Sequence, residues 1–330
     1  MKSFLLAFAS FALAVGAAQA QIFSNGTGGG AFTTGSTWIG GVAPTAAQSW
    51  IIQATDIVTA TASLTPSTDA AHTINGTFNM AAGAHYNIVG GGVTLNINGS
   101  LTTERIFTNG SIANSTARIT LSGGSLTITN RLHLIASNTT NTAINKFTLS
   151  GGTVDLSAAS GGFKLYGADA DDRAQFTVIG NAGTFNATGR EVALYNTTVG
   201  FENSAAAINF TFGSTAGAGA VTVVNSGLLT FSNNQFTIDF TSIARPLTTT
   251  SYSTTLFDYT SFSGLFTAAN LTSIGLGAGE SAMLVKDDIN KLIRVDYTLT
   301  SSIPEPSTFA FVLGLLALGF VSLRRRGSKN

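Results

Sequence analysis

Between Gln21 and Ser302 the chain alternates short apolar runs with polar, glycine-rich breaks. The runs are made of Thr, Val, Ile, Leu and Phe, and the breaks of Asn, Ser and Gly. A period of two is typical of half-buried strands, and stretches with the 3.6-residue spacing of helices are nearly absent. β-Branched residues such as Thr also fit a pleated surface. The pattern therefore predicts an all-β body.

Four segments of this body resemble one another when their glycine turns are aligned. Gly pairs centre three of them, with steps of 32 and 28 residues, and the turn around Gly180 follows about 29 residues later. The segments are HYNIVGGGVTLNI from His85, ARITLSGGSLTIT from Ala117, KFTLSGGTVDLSA from Lys146 and QFTVIGNAGTFNA from Gln175. A further strand recurs between the copies as RLHLIAS, FKLYGAD and EVALYNT, which begin at Arg131, Phe163 and Glu191.

These repeats predict a solenoid. A repeat of three short strands cannot bury its apolar face alone, so equivalent strands would stack about 4.8 Å apart. The predicted fold is a right-handed parallel β-helix; the alternative is a β-sandwich of hairpins, because Gly-Gly and Asn-Gly also form hairpin turns. We expect an N-terminal cap and first coil over 21–70, β-helix repeats over 71–200 and a C-terminal β region over 201–302.

The first twenty residues have the pattern of a secretory signal peptide. Lys2 precedes an apolar run from Phe4 to Val15, and Ala18-Gln19-Ala20 is a small-x-small cleavage site. Such a segment is removed after export and does not belong to the mature fold. We therefore expect a signal helix over 1–20 that is cleaved after Ala20.

Residues 303–330 predict a membrane-held tail. Pro304-Glu305-Pro306-Ser307 is followed by an apolar run from Phe309 to Leu323 and then by Arg324, Arg325 and Arg326. The run is shorter than the roughly 20 residues of a typical span, and basic residues after a span stay on the cytoplasmic side. We expect a short transmembrane helix that holds the exported body at the inner membrane.

This tail resembles the PEP-CTERM sorting signal of exported bacterial proteins. The resemblance implies processing by an exosortase, a membrane Cys transpeptidase for which the Pro-Glu-Pro-Ser motif is substrate. It also implies a location at the cell surface or in an extracellular polysaccharide matrix. The body resembles PEP-CTERM proteins with autotransporter-associated β-strand repeats, through its GG-centred strands, its W-x-G-G-x-A-P start at Trp38 and its LFDY, G-x-F and DY ending. That resemblance implies a surface β-solenoid without assigned catalytic residues.

Charge and composition narrow the classes of partner and site. The 330 residues carry sixteen basic and sixteen acidic side chains. Five of the basic and one of the acidic residues lie in the two terminal segments, so the remaining body has eleven and fifteen and a charge of about −4. A mildly acidic body disfavours nucleic acid as a partner. The absence of Cys excludes disulfides, thiolate metal sites and a Cys nucleophile.

Carboxylates are the first candidates for chemistry. Asp169, Asp171 and Asp172 lie in GADADDR and are candidate Ca²⁺ ligands or acid/base groups. Nothing nearby completes a D-x-D-x-D-G loop, so a solvated loop is the favoured interpretation, and no cofactor is predicted. A polysaccharide lyase or hydrolase is the alternative function, and it would require Asp155, Asp169, Asp172 and Arg190 to converge in one groove. Asp287-Asp288 is expected to be a charged hairpin turn.

Histidines, aromatic residues and Thr complete the candidates. The three histidines, His72, His85 and His133, form no metal-ligand pattern, and His133 is expected to point outward from its strand. Aromatic faces can stack on sugar rings, and the candidates for this are Trp38, Trp50, Tyr166 and Tyr195, although a stacked core row is favoured for the two tyrosines. A Thr-rich ice-binding solenoid would need a regular Thr-x-Thr array, and Thr127-Ile128-Thr129 occurs once.

The favoured function is a non-enzymatic, exported surface or matrix protein that presents a long polar β-surface for adhesion or matrix association. Its expected partners are an exosortase, the inner membrane and extracellular polysaccharide, and nucleic acid is not among them.

Overall fold

The structure is a computed structural model. It describes residues 21–67, 69–108, 116–135, 145–166, 174–180, 183–195, 207–212, 216, 223–224, 227–232, 234–301 and 314–316. The predicted signal helix, the Pro304–Ser307 motif and the Arg324–Arg326 cluster lie outside these residues. Within them, no helix combines the length and the apolar character that crossing a membrane requires.

Nearly all regular structure in the described residues is β. A 3-10 helix spans Gly35–Thr37. The strands, numbered in chain order, are β1 Ile22–Phe23, β2 Gly29–Ala31, β3 Trp50–Ile52, β4 Ile57–Ala60, β5 Ala71–Ile74, β6 Thr77–Met80, β7 Tyr86–Ile88, β8 Gly92–Ile97, β9 Ser100–Thr108, β10 Thr116–Leu121, β11 Ser125–Ile135, β12 Asn145–Leu149, β13 Gly152–Asp155, β14 Gly162–Tyr166, β15 Ala174–Ile179, β16 Gly183–Asn186, β17 Val192–Tyr195, β18 Ala207–Thr211, β19 Val223–Val224, β20 Leu228–Ser232, β21 Gln235–Asp239, β22 Thr250–Asp258, β23 Ser261–Leu265, β24 Leu271–Ile274, β25 Ser281–Asp287 and β26 Leu292–Leu299.

Strands from successive coils pair in parallel. One sheet has the order β1-β3-β5-β8-β10-β12-β15-β18-β21-β24, and every neighbouring pair in it is parallel. Trp50 pairs with His72 and Phe236 with Leu271, so successive strands of this sheet lie between 22 and 35 residues apart along the chain. A sandwich of hairpins would pair these strands antiparallel. The body is therefore nearly all β with parallel sheets, which is consistent with a β-solenoid.

Each central coil contributes three strands, as predicted, and so has three outer faces. The first face is the ten-stranded sheet just described. The second face consists of β2, β4, β6, the starts of β9 and β11, β13, β16, β19 and part of β22. The third face consists of β7, the ends of β9 and β11, β14, β17, β20 and β23.

The register corrects the predicted alignment of the first repeat. Ile97 pairs with Leu121 and Ser100 with Ser125, so the turn equivalent to Gly123-Gly124 is Asn98-Gly99, and the Gly91-Gly92 assignment was wrong. Both turns flank β8 and have similar composition, so the sequence alone did not separate them. The later copies were aligned correctly before their turns, since Phe147 pairs with Phe176. After the turn of the fourth copy the alignment was wrong by two residues, because Gly152 pairs with Gly183.

Parallel pairing continues beyond Gly200, where the sequence similarity fades. On the first face β15, β18, β21 and β24 follow one another in register. The long strands β22 and β26 then pair antiparallel, and β25 pairs antiparallel with β26. The architecture thus persists with little repetition of sequence, because stacking needs only alternating apolar residues of suitable size.

The core consists of inward side chains that stack from one coil to the next in continuous rows. Side chains alternate between inside and outside along each strand, so register places equivalent residues directly above one another. Phe147 and Phe176 stack with ring centroids 6.1 Å apart. Together with their neighbours they form a fully inward row on the first face: Trp50, His72, Leu95, Ile119, Phe147, Phe176, Ile208 and Phe236.

Candidate functional site

The outward positions of the first face form one long polar column. Its members are the residues between the inward ones, and each pairs with the next in register, about 4.8 Å away. Asn209 Nδ2 lies 3.4 Å from Thr177 Oγ1, so neighbours in the column also contact through their side chains. The column consists of Thr73, Asn96, Thr120, Thr148, Thr177, Asn209, Thr237 and Thr272. Thr148 and Thr177 are buried, and the other six are half-buried or exposed.

The second face carries two further polar columns. One contains Thr77, Ser100, Ser125, Thr153 and Thr184, and the other contains Asn79, Thr102, Thr127, Asp155 and Asn186. Two residues separate the columns along each strand, which is roughly 6.8 Å. Ser125 Oγ donates to Ser100 Oγ at 3.1 Å, and Asn186 Nδ2 donates to Asp155 Oδ1 at 3.1 Å. All ten residues are half-buried or exposed.

The repeating polar unit differs from the motif singled out in the sequence. Thr127 faces outward together with Ser125, whereas Ile128 is buried in the core. Polar pairs do recur in register, as in Ser100 with Thr102 and Thr184 with Asn186. The columns mix Ser, Thr, Asn and Asp instead of repeating Thr-x-Thr in every coil. The surface is thus regular in spacing but varied in side chain.

The polar columns on the described faces are suited to extended partners. Hydroxyl and amide groups both donate and accept hydrogen bonds, so a column of them can contact a repeating hydroxylated chain. Two shallow hollows of about 230 Å³ lie beside Phe32 and Leu64 and between Tyr252 and Met283. Small-molecule sites typically measure about 300–1,000 Å³.

Half of the acidic groove proposed for the alternative enzyme can be located. Asp155 Oδ1 accepts from the backbone N–H of Ser157 at 3.0 Å, and Arg190 Nε donates to the carbonyl of Ser157 at 2.7 Å. Asp155 and Arg190 therefore approach the same turn from successive coils. Asp169, Asp171 and Asp172 lie outside the described residues, so their convergence with this turn stays a prediction.

The expectation that His133 is a surface residue was wrong. Its side chain is only 8% exposed, and its Nε2 lies 3.0 Å from the carbonyl of Gly161 in the next coil. Burial lowers its pKa. Stacked neighbours cover the outward side of a strand in a solenoid, which alternation alone does not reveal. Across the part of the chain that the structure describes, no three His, Asp or Glu side chains gather closely enough to hold a metal ion.

Two of the four aromatic candidates are core residues. Trp38 is 2% exposed and donates from Nε1 to the carbonyl of Phe32 at 2.7 Å, and Trp50 is completely buried. The suggestion that they stack on sugar rings was therefore wrong. Tyr166 pairs with Tyr195 in register, which confirms their matching positions in successive coils. Their packing remains a prediction.

The Asp287-Asp288 pair lies at the turn between β25 and β26, as predicted. Asp287 Oδ1 accepts from the backbone N–H groups of Ile289 and Asn290 at 3.1 and 2.9 Å. These hydrogen bonds, that of Asn290 foremost, hold the pKa of Asp287 well below its usual range. The pair therefore stabilises a turn.

The observations that bear on function are thus the side chains on the outer faces of the coils. No family model, curated protein or solved structure matches the chain.

Proposed function

We propose that the protein is an exported β-solenoid of the cell surface or extracellular matrix, with a structural or adhesive role and no catalytic activity. The observation that carries the proposal is the set of polar columns, which run in register along two outer faces of the stacked coils. Such a surface offers many equivalent contacts and little enclosure. The proposal includes a right-handed winding, because crossovers between parallel strands are right-handed in about 98% of cases.

Export and sorting are supported by the two ends of the sequence. The segment before Gln21 has the parts of a signal peptide, and cleavage is proposed after Ala20. An exosortase would recognise Pro304-Glu305-Pro306-Ser307, while Arg324–Arg326 would hold the apolar tail at the inner membrane. The mildly acidic body between them is compatible with a protein that is exported as a soluble chain.

Extracellular polysaccharide is the proposed partner. Its hydroxyl groups recur along the chain, as do the Ser, Thr and Asn side chains on the first and second faces. Many weak hydrogen bonds to a repeating polymer add up to retention through multivalency. The same arrangement would allow the protein to remain in a hydrated matrix without a deep binding pocket.

Sorting is tested by deleting Pro304–Asn330 and fractionating the cells that naturally produce the protein. The expected result is loss of the protein from the surface fraction and its release into the medium. A variant with Ser301→Ala and Ser302→Ala, immediately before the motif, serves as the matched control and should remain at the surface. Unchanged surface localisation of the deletion variant would refute the sorting role.

The polysaccharide lyase or hydrolase remains the alternative. The full-length chain is incubated with a panel of bacterial and algal polysaccharides, and binding and release of reducing ends are measured together. Binding without release supports the matrix role. Release that disappears when Asp169, Asp171 and Asp172 are replaced by Ala would support the enzyme instead.

A further inference from the structure

The third face concentrates basic side chains in two adjacent columns. Arg105 pairs with Arg131. Tyr86 pairs with Ile106, so the residues before them, His85 and Arg105, lie next to each other. One column therefore runs through His85, Arg105 and Arg131. The neighbouring column contains Phe107, His133 and Lys164. The body as a whole is acidic, and a second basic pair in register, Arg118 with Lys146, lies on the first face.

Arg105 and Arg131 lie side by side without an acceptor. Like charges directly opposite each other on neighbouring strands destabilise a sheet. Neither guanidinium has a hydrogen bond or an ion pair within 4 Å in the described part of the chain, and the Nε atoms of both are buried and unpartnered. Burying an unsatisfied polar group costs free energy. An anion that binds the outer nitrogens of both guanidinium groups would remove the repulsion between them.

The nearby carboxylates are already engaged by other donors. Glu104 accepts from the backbone N–H of Gly83 at 2.8 Å and from Asn130 Nδ2 at 3.1 Å. Glu191 pairs with Lys164 Nζ at 2.7 Å. In the described part of the chain, neither arginine forms an ion pair within 4 Å, although Glu104 and Arg105 attract each other electrostatically.

Local backbone geometry shapes the surroundings of Arg131. The register shifts by one residue between Ile128 and Arg131, and such bulges re-aim side chains. Gly162 pairs with Arg131 in the next coil, and a Cβ on the adjacent Gly161 would come within 2.8 Å of Arg131 Cβ. On the other side, the guanidinium of Arg131 lies over the ring of Phe107, 5.5 Å from its centre. The side chain of Arg131 therefore lies between the backbone of Gly161 and the ring of Phe107.

We propose that Arg105 and Arg131 form a binding site for the anionic groups of an acidic polysaccharide. The planar guanidinium matches the two oxygens of a carboxylate or a sulfate group. Arg105 and Arg131 belong to successive coils, so one acidic group can contact two coils at once. The inference rests on the proposed matrix role and names the class of polymer involved.

The test measures binding of the full-length chain to polygalacturonate, dextran sulfate and neutral dextran at low salt. Arg105→Gln/Arg131→Gln should weaken binding to the acidic polymers about ten-fold and leave binding to dextran unchanged. The matched control is Arg118→Gln/Lys146→Gln, which removes the same charge from a pair in register on the first face. It should change binding less than about two-fold.

Three results would overturn the proposal. One is an equal loss in both double variants, which indicates net charge alone. Another is wild-type binding to dextran as tight as to polygalacturonate, and the third is tighter binding to double-stranded DNA than to either acidic polymer. Thermal unfolding checks that the variants fold. If the double variant does not fold, the single variant Arg131→Gln is measured instead, and it should lose less binding to the acidic polymers than the roughly ten-fold loss expected of the double variant. The assay is independent of cellular location, so failure here leaves the sorting experiment to be judged on its own.

Discussion

The imidazole of His72 lies face to face with the indole of Trp50, with ring centroids 4.3 Å apart. Its Nε2 donates to the carbonyl of Gln48 at 3.0 Å, and its Nδ1 accepts from the buried hydroxyl of Tyr86. Both ring nitrogens are therefore used by the neutral form. Burial lowers the pKa of His72 to about 4, although the Gln48 carbonyl acts in the opposite direction.

This histidine predicts acid sensitivity of the N-terminal coils. The unfolded chain binds a proton at His72 below about pH 6.5, whereas the folded protein resists it until about pH 4. The contribution of neutral His72 to stability is thus fully present above pH 6.5. As the pH falls from 6.5 to about 4, the free energy of unfolding decreases by at most about 1.4 kcal/mol per pH unit. The free energy of unfolding, measured in urea from pH 7.5 to 4.5, should depend less steeply on pH for His72→Gln than for the wild type. An identical pH dependence of the variant and the wild type would contradict the assignment. The pKa of half-buried His85 is also lowered by burial, so His85→Gln should change the pH dependence in the same direction but by less than His72→Gln.

A second prediction concerns the loop between β1 and β2, which the carboxylate of Asp56 holds in place by two backbone hydrogen bonds, referred to below as the clamp. Its Oδ2 accepts from Gly26 N–H at 2.8 Å and its Oδ1 from Gly28 N–H at 2.9 Å. Burial alone would raise the pKa of Asp56, but hydrogen bonds from Ser24 and these two glycines lower it overall. Asp56→Ala should reduce the free energy of unfolding by about 2 kcal/mol or more.

Hydrogen exchange locates this effect. Asp56→Ala should lose amide protection mainly in β1 and β2, because the clamp holds the first coil. Asp239→Ala is the control, since half-buried Asp239 accepts one backbone hydrogen bond, from Thr241 at 2.8 Å. It should cost less than about 1 kcal/mol. Equal costs for the two variants would show that the clamp adds nothing special.

A third prediction compares two glycines, one where a Cβ would cause backbone strain alone and one where it would also overlap a neighbouring atom. Gly124 and Gly180 both have positive φ, +59° and +70°. A Cβ on Gly124 would lie 1.8 Å from the carbonyl oxygen of Gly99, whereas one on Gly180 would meet nothing within 4 Å. Gly180→Ala should cost about 1–2 kcal/mol from the left-handed conformation alone. Gly124→Ala should cost about 3 kcal/mol or more in thermal or urea unfolding, and similar values would refute the tight corner.

The inward column could be predicted from sequence, but its register could be predicted only in part. Alternation marked Ile119 and Phe147 as core positions because each lies in a period-two run. It did not show that Gly91-Gly92 and Asn98-Gly99 flank the same strand, since turn residues at both ends of a strand look alike. Register depends on which strands stack, which is a tertiary property.

The errors at the candidate site have a related cause. Trp38 lies in a glycine-rich stretch that resembles a loop, yet its backbone forms an antiparallel bridge with Ser24 and its ring packs on Phe32. His133 alternates correctly with Leu132, but the coils beside it cover its outer side. Single-strand patterns give the direction of a side chain, and they do not give what neighbouring coils place over it.

The last prediction concerns the end of the described body, where Glu280 joins three segments. It accepts from Gly277 N–H at 2.7 Å and Thr300 N–H at 3.0 Å, and it pairs with Arg245 Nε at 2.8 Å. The Glu280 side chain is 1% exposed. Removing its charge leaves Arg245 without a carboxylate partner and with hydrogen bonds to backbone carbonyls alone. Glu280→Gln should therefore cost about 3 kcal/mol.

The surface pair Lys286–Asp288 provides the comparison, because Asp288 is largely exposed. Asp288→Asn should cost less than about 1 kcal/mol, since solvent screens exposed ion pairs. Limited proteolysis should cleave Glu280→Gln faster within β25 and β26 and leave Asp288→Asn like the wild type. If both variants resist cleavage equally, Glu280 does not hold the closing strands against the last coils, and the antiparallel pairing of β22 with β26 must suffice.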